Sequence, residues 1–277
     1  MTYITDEQWC EYFKNGYLRL GKVMSDEELD QMRQRIDDIM LGRANIDYDR
    51  LLMQLDSETG RYEDAPEQTL GFKGATLNYR KIQNLEYDPV FLRYMQKPLF
   101  REICATVYGA HAPIACYRAM FMNKPAQKGT VLPWHQDAGL QWGLDRDPVV
   151  TIWTALDPAT KENGCVRVVP GTHRLGLLSE WGHTITPEQE AMYCPEDKVV
   201  YLEAEAGEAI LLHNWLLHGS GVNTIDIPRR AFSVCYMDGR TRRLSDGGTF
   251  PIVFGKGALS PEELEAGALA VSSHANR

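Results

Sequence analysis

Two widely separated segments restrict the fold more than any other feature of the chain. Pro133-Trp134-His135-Gln136-Asp137 reads as an extended run. On a strand, residues two apart point to the same face, so His135 and Asp137 can reach one metal ion. The third ligand is expected far downstream at His218, in Leu216-Leu217-His218-Gly219-Ser220-Gly221-Val222-Asn223. Whatever the fold, it must carry these two segments to one point. Two histidines and one carboxylate, the carboxylate two positions after the first histidine, are the ligand set of the facial triad of non-haem Fe(II) oxygenases. Shortly beyond, Arg229 offers a planar cation able to hold the far carboxylate of a bound 2-oxo acid in a bidentate fork.

Composition narrows the partners. At 44% hydrophobic and 24% charged, the 277 residues can bury a sizeable core. A net charge of −9 argues against a nucleic-acid groove or a polybasic membrane surface. No apolar run approaches the ~20 residues of a membrane span. The first residues show neither a basic region nor an apolar stretch, so no secretory signal is expected and the location is read as cytoplasmic. The six cysteines are scattered without a C-x-x-C pair, which points to free thiols rather than a zinc ribbon or a disulfide framework.

Along the chain, Thr5-Asp6-Glu7-Gln8 is a capping box opening a helix that turns Trp9, Tyr12 and Phe13 inward and stops at Gly16. A strand over 17–23 follows. Ser25-Asp26-Glu27-Glu28 caps a second helix with Leu29, Met32, Ile36 and Ile39 on one face. Residues 41–77 lose all periodicity and are read as an irregular segment, either an active-site cover or a surface excursion. A helix from Asp88-Pro89 is interrupted at Pro98 and ends near Gly109. From residue 112 short β-like runs appear at 115–122, 130–135, 149–156, 165–169, 199–202, 208–213 and 230–237, the pattern of an all-β sandwich or barrel. Ser260-Pro261-Glu262-Glu263 caps a final helix, and the last residues read as a frayed tail. One domain over 1–277 is expected, with helices of about 1–110 packing on a β core of about 112–240.

Several pieces together resemble the phytanoyl-CoA dioxygenase family of Fe(II)/2-oxoglutarate oxygenases, which includes ectoine hydroxylase. They are Trp134-His135-Gln136-Asp137, Trp153-Thr154-Ala155-Leu156-Asp157, Asn163-Gly164-Cys165, Val169-Pro170-Gly171-Thr172-His173, and His218-Gly219-Ser220-Gly221-Val222-Asn223 with Arg229. Lys81-Ile82-Gln83 and Met120-Phe121-Met122-Asn123-Lys124-Pro125 are weaker matches. The resemblance implies a double-stranded β-helix, the cupin-like jelly roll. It implies Fe(II) on His135, Asp137 and His218, the distal carboxylate of 2-oxoglutarate on Arg229 and Ser220, and Lys81, Met120 and Trp153 around the same cosubstrate. Met120 and Trp153 fit core packing equally well. O2 is the co-reactant, succinate and CO2 the by-products, and hydroxylation of an unactivated C–H bond in a small metabolite or natural-product intermediate the expected reaction. Halogenating relatives carry a small residue where Asp137 stands, so halogenation is not expected.

The remaining polar residues take plainer roles. His213, five positions before His218, faces away on a strand and is read as packing. His173 is a structural hydrogen-bonder, and Asn223 fixes its loop. Arg230 rivals Arg229 but points to the opposite face. Gln83, Trp142 and residues of 41–77 are candidates for the pocket wall. The run Arg240-Thr241-Arg242-Arg243 is a solvated edge or a contact for an anionic substrate group. Two other functions use the same residues. A zinc hydrolase would accept His and Asp but has no need of Arg229. A non-catalytic jelly-roll binding protein would leave the triad and the arginine without a purpose.

Overall fold

A computed structural model describes residues 2–267. The expected frayed tail, residues 268–277, lies outside the described residues. Helix α1 (Asp6–Asn15) begins with reciprocal capping between Thr5 and Gln8 and ends where Gly16 turns into the left-handed region at φ 81°. Tyr12 alone of its aromatic residues is buried. Phe13, expected inward, is 56% exposed and instead stacks on Trp9 at 5.7 Å. One residue beyond Tyr12 on a helix is a rotation of about 100°, enough to carry a side chain off the buried stripe.

Strand β1 (Tyr17–Lys22) leads to α2 (Asp26–Met40), capped by Ser25 and Glu28. Its Leu29, Met32, Ile36 and Ile39 are at most 5% exposed, the outcome the helical spacing predicts. The segment 41–77 is less irregular than its sequence suggests. It contains β2 (Leu52–Leu55) and β3 (Thr69–Leu70), which extend the edge of a sheet beyond β4 (Tyr79–Gln83). Strands of four and two residues are too short to impose a period on the sequence. Helices α3 (Pro89–Met95) and α4 (Pro98–Tyr108) each start with proline at the first turn.

The β half follows as β5 (Ile114–Lys124), β6 (Leu132–Gln136), β7 (Val150–Ala155), β8 (Val166–Val168) and β9 (His183–Thr184). After α5 (Pro187–Tyr193), a helix the sequence reading missed despite its Thr186/Gln189 capping box, come β10 (Val200–Leu202) and β11 (Glu208–Leu212). Then come β12 (His218–Ser220), β13 (Arg229–Asp238) and β14 (Ile252–Phe254). A helical stretch begins at Pro261.

Nine strands form the larger sheet, ordered β1-β11-β7-β13-β5-β4-β2-β3 with β14 on β5. Five form the smaller, ordered β10-β8-β12-β6-β9. All pairings are antiparallel, and the two sheets make a jelly roll with helices on one side. The outer face of the larger sheet, with Phe121, Ile152, Phe232, Val234 and Tyr236, packs against Met32, Ile36, Phe91 and Phe100 of the helices. Its inner face meets the smaller sheet around Trp153, Val168, Ile210 and Leu216. No helix among the described residues is long and apolar enough to cross a membrane. The six cysteines are free, Cys10 exposed and the others buried.

Candidate metal centre and the cavity around it

Strand pairing brings the two distant segments together. His218 on β12 is the direct register partner of His135 on β6, so their rings stand side by side with centroids 4.0 Å apart. Asp137 follows where β6 ends, its backbone N–H donating to Asn214 O at 2.8 Å. Its Oδ1 lies 3.7 Å from His135 Nε2 and its Oδ2 lies 3.6 Å from His218 Nε2. Each ring is fixed from behind: Nδ1 of His135 faces Pro133 O at 2.8 Å, and Nδ1 of His218 faces Leu216 O at 2.9 Å. With Nδ1–H donating to a carbonyl, the neutral form of each ring leaves Nε2 bare and aimed at the carboxylate, the tautomer a metal requires.

The electrostatics follow from burial and proximity. Burial alone would raise the Asp137 carboxyl, but hydrogen bonding and charge from His218, then His135 and Arg118, hold it well below the usual carboxylate range. His135 is pushed far below its ordinary value by burial and then by His218. Burial also opposes charge on His218, yet the hydrogen bond and charge of Asp137 raise it above an ordinary imidazole. A metal ion taking Nε2 of His218 displaces the proton that this pair otherwise shares.

A fourth donor, His183, was not singled out in the sequence. Its ligand atom groups with those of His135 and Asp137 within 4.8 Å, and its ring stands edge-on to His135 at 4.6 Å. Two features set it apart from His218. It sits at φ 71°, strained for a residue with a Cβ, and its Nε2 lies 3.2 Å from the Tyr62 hydroxyl rather than bare. A lone histidine in a two-residue strand carries no sequence signal of its place in space.

All eight residues singled out for the site line one cavity between the sheets: Lys81, Met120, His135, Asp137, Trp153, His218, Ser220 and Arg229. Arg229 is 2% exposed with its guanidinium 5.7 Å from the Trp153 ring centroid, and its Nε and Nη1 have no hydrogen-bond partner. Burial lowers its pKa to about 10. Lys81 is pushed down to about 7 by burial, then by Arg80 and Arg118, with Asp137 opposing. Arg230, one residue on, faces the other way. Its Nε and Nη2 donate to Asp157 at 2.8 and 2.9 Å, and its Nη1 to Asp37 at 2.7 Å.

Among the other candidates, Trp142 lines the cavity and Gln83 does not. Gln83 donates to Gln68 at the sheet edge. None of the described residues lining the cavity comes from 41–77, whose link to the site is Tyr62 against His183. His213, expected to face away, also lines the cavity, because it lies in the turn after β11 and not on a strand that continues to His218. It accepts from Trp215 N at 3.1 Å and packs on His173, which bonds Phe13 O at 3.1 Å. Asn223 holds its loop through Lys124 O and Ile227 O. Arg240 pairs with Asp238 and Arg243 with Asp246, a solvated edge. Cavity residues missed in the sequence, besides His183, include Arg118, Thr151 and Asn214. The strands of Arg118 and Thr151 are legible, but which face turns inward depends on register, and Asn214 lies in the turn between β11 and β12.

A family model described as phytanoyl-CoA dioxygenase matches residues 12–231. A probable phytanoyl-CoA dioxygenase of Caenorhabditis elegans is 29% identical over 243 residues, 84% of this chain and 75% of that protein. The peroxisomal phytanoyl-CoA dioxygenase of Rattus norvegicus is 26% identical over 252 residues, 88% of this chain and 71% of its own. Among solved structures, EctD from S. alaskensis with 2-oxoglutarate and 5-hydroxyectoine superposes with a TM-score of 0.70 at 19% identity, covering 94% of this chain and 86% of that one. EctD with bound Fe gives 0.69 at 20% identity, covering 87% and 79%.

Proposed function

The chain belongs to the phytanoyl-CoA dioxygenase family, and from that premise we propose that it is one Fe(II)- and 2-oxoglutarate-dependent dioxygenase domain that hydroxylates an unactivated C–H bond of a small metabolite or natural-product intermediate. Succinate and CO2 are released. The observation that carries this reading is Arg229: a buried cation with two unmet N–H groups, in the same cavity as three converging ligand atoms. A zinc hydrolase leaves that arginine without a task, and a metal-free binding module leaves the three ligands without one. EctD has been solved with bound Fe and with 2-oxoglutarate, and both groups fit the donors present here.

In this reading His135, Asp137 and His218 would hold the iron, a two-histidine, one-carboxylate donor set of the kind that suits Fe(II) oxygenases. When bound, ferrous iron supplies the O2 chemistry that converts 2-oxoglutarate to succinate and CO2 and oxidises the C–H bond. The carbonyls of Pro133 and Leu216 keep the two Nε2 atoms presented. Arg229 and Ser220 grip the distal carboxylate, charge-assisted bonds that a buried guanidinium makes strongly. Lys81 gains a reason to stay charged once a carboxylate is near, and Met120 and Trp153 wall the cosubstrate from water. His183, tethered to Tyr62, stays off the metal. A cytoplasmic location belongs to the same proposal, although the rat relative is peroxisomal.

The test starts with anaerobic Fe(II)-loaded protein. Adding 2-oxoglutarate should change its visible absorption, and admitting O2 should release succinate. Asp137→Ala and His218→Ala should each lose more than about 100-fold in metal affinity, whereas His183→Ala should retain the metal. Absence of any spectral response to 2-oxoglutarate removes the assignment. Metal loss in His183→Ala with retention in His218→Ala replaces the ligand set.

A further inference from the structure

Of the three permanent or partial cations lining the cavity, the cosubstrate reading employs two. Arg118 is the one left over. On β5 the alternate residues Arg118, Met120 and Met122 turn into the cavity while Ala119 and Phe121 pack against the helices. Arg118 and Arg229 lie at opposite ends. Arg229 is the register partner of Lys124, and Arg118 that of Cys235. Those positions are six residues apart on each strand, roughly 20 Å along the sheet. A five-carbon diacid spans about 6 Å between its ends. One cosubstrate held at Arg229 does not reach the backbone level of Arg118.

The Arg118 guanidinium is held against aromatic faces, its centre 4.5 Å from the Trp142 ring and 4.9 Å from the Tyr117 ring. Those rings stack on one another at 4.6 Å. Such a cradle fixes a planar cation but does not neutralise it. Among the described residues no carboxylate makes an ion pair with Arg118, whose charge is felt by Asp137 without a direct contact, and three neighbouring arginines differ in this respect. Arg146 and Arg240 share Asp238, and Arg243 has Asp246. These three exposed arginines are matched by acids, whereas Arg118, which faces the cavity, is not.

Charge points the same way. The lining presents Arg229, Lys81 and Arg118 against the single carboxylate of Asp137. A ferrous ion and a 2-oxoglutarate dianion cancel, so loading the site leaves the excess in place. Lys81 can shed its proton, but an arginine cannot.

We propose that Arg118, cradled by Trp142 and Tyr117, is the anchor for a carboxylate of the substrate, so that the enzyme acts on small organic acids with an apolar or aromatic body rather than on neutral molecules. The proposal rests on the reading of Arg229 as the cosubstrate arginine. The planar fork takes both carboxylate oxygens, the Trp142 ring that lines the cavity takes the apolar body, and the substrate's C–H bonds are presented toward Asp137 and its neighbours.

The experiment uses the full chain loaded with Zn(II) and 2-oxoglutarate, so nothing turns over. Uptake of 2-oxoglutarate is measured first. Matched acids and primary amides (hexanoate and hexanamide, 3-phenylpropionate and 3-phenylpropanamide, indole-3-acetate and its amide) are then titrated by saturation-transfer NMR. At least one acid should bind about tenfold or more tighter than its amide, the effect of a charge-assisted bond. Arg118→Gln should erase that preference, leave 2-oxoglutarate affinity and melting temperature unchanged, and Arg118→Lys should restore part of it. Equal or absent binding of acids and amides by the wild type overturns the proposal. So does a parallel loss of 2-oxoglutarate affinity in Arg118→Gln, which would make Arg118 a cosubstrate residue. Failure of the wild type to take up 2-oxoglutarate shows up before any probe is added and sinks the underlying function instead.

Discussion

Strand β13 shows two chemistries on its two faces. Outward, Arg230, Phe232, Val234 and Tyr236 meet complete surroundings: Arg230 forks onto Asp157 and reaches Asp37, Phe232 packs on Phe91 at 4.8 Å, and Tyr236 donates to Met95 O at 2.8 Å. Inward, Arg229, Ser233 and Cys235 line the cavity, and Arg229 keeps two N–H groups without a partner. Two arginines adjacent in sequence thus differ wholly in satisfaction. Leaving a buried donor unmet costs about 1–3 kcal/mol, and more when it is charged. A sheet that satisfies one face so fully and not the other is stable on the first and reserved for ligands on the second.

The largest expected effect lies on the outer face. Phe232→Ala removes a fully buried ring wedged between Phe91 and Tyr94 and should cost about 3–5 kcal/mol in denaturant unfolding. Metal affinity of the fraction that remains folded should be little changed. A loss below about 1 kcal/mol would mean that the outer face is not the stabilising one.

The two arginines sharpen the contrast at single-residue scale. Arg230→Gln leaves Asp157 buried with weakened pairing and should cost about 1–3 kcal/mol, without changing 2-oxoglutarate affinity. Arg229→Gln should do the reverse. Removing an unpaired buried cation leaves the apo protein as stable or more so, while 2-oxoglutarate affinity falls about 30-fold or more. Calorimetric melting and ligand titration on both variants check the pair, and equal destabilisation by the two would erase the distinction between the faces.

The smallest effect concerns an exception behind the large sheet. Glu86 is 5% exposed, its Oε2 has no partner, and burial raises its carboxyl to about 7. The native state therefore holds this proton more tightly than the unfolded chain does. That contribution is complete below the unfolded pKa and is lost as pH rises through about 7. Glu86→Gln should be more stable than the wild type at pH 8, with the gap closing toward pH 5 in urea titrations.

Much of this was legible along the chain because local physics writes it there. The capping boxes at Thr5 and Ser25, the helical stripe from Leu29 to Ile39, and the prolines at 89 and 98 each act within a few residues. The β-like runs fell close to β5, β6, β7, β8, β10, β11 and β13 for the same reason. Phe13, the short strands of 41–77, β9, α5, β12 and β14 escape this kind of reading. A two- or three-residue strand has no period, and an aromatic at the edge of a helical stripe has no fixed side.

By itself, then, the sequence determined the fold class, the family to which the chain belongs, and a set of eight residues worth bringing together, since residue type and spacing carry ligand chemistry. The tertiary structure alone decided which strands pair and in what register. That register sets His218 opposite His135, turns Arg229 inward and Arg230 outward, and brings His183 and Arg118 into the cavity unannounced. The reason is that a strand has two equivalent faces. Only its neighbours, supplied by distant parts of the chain, determine which of them is buried.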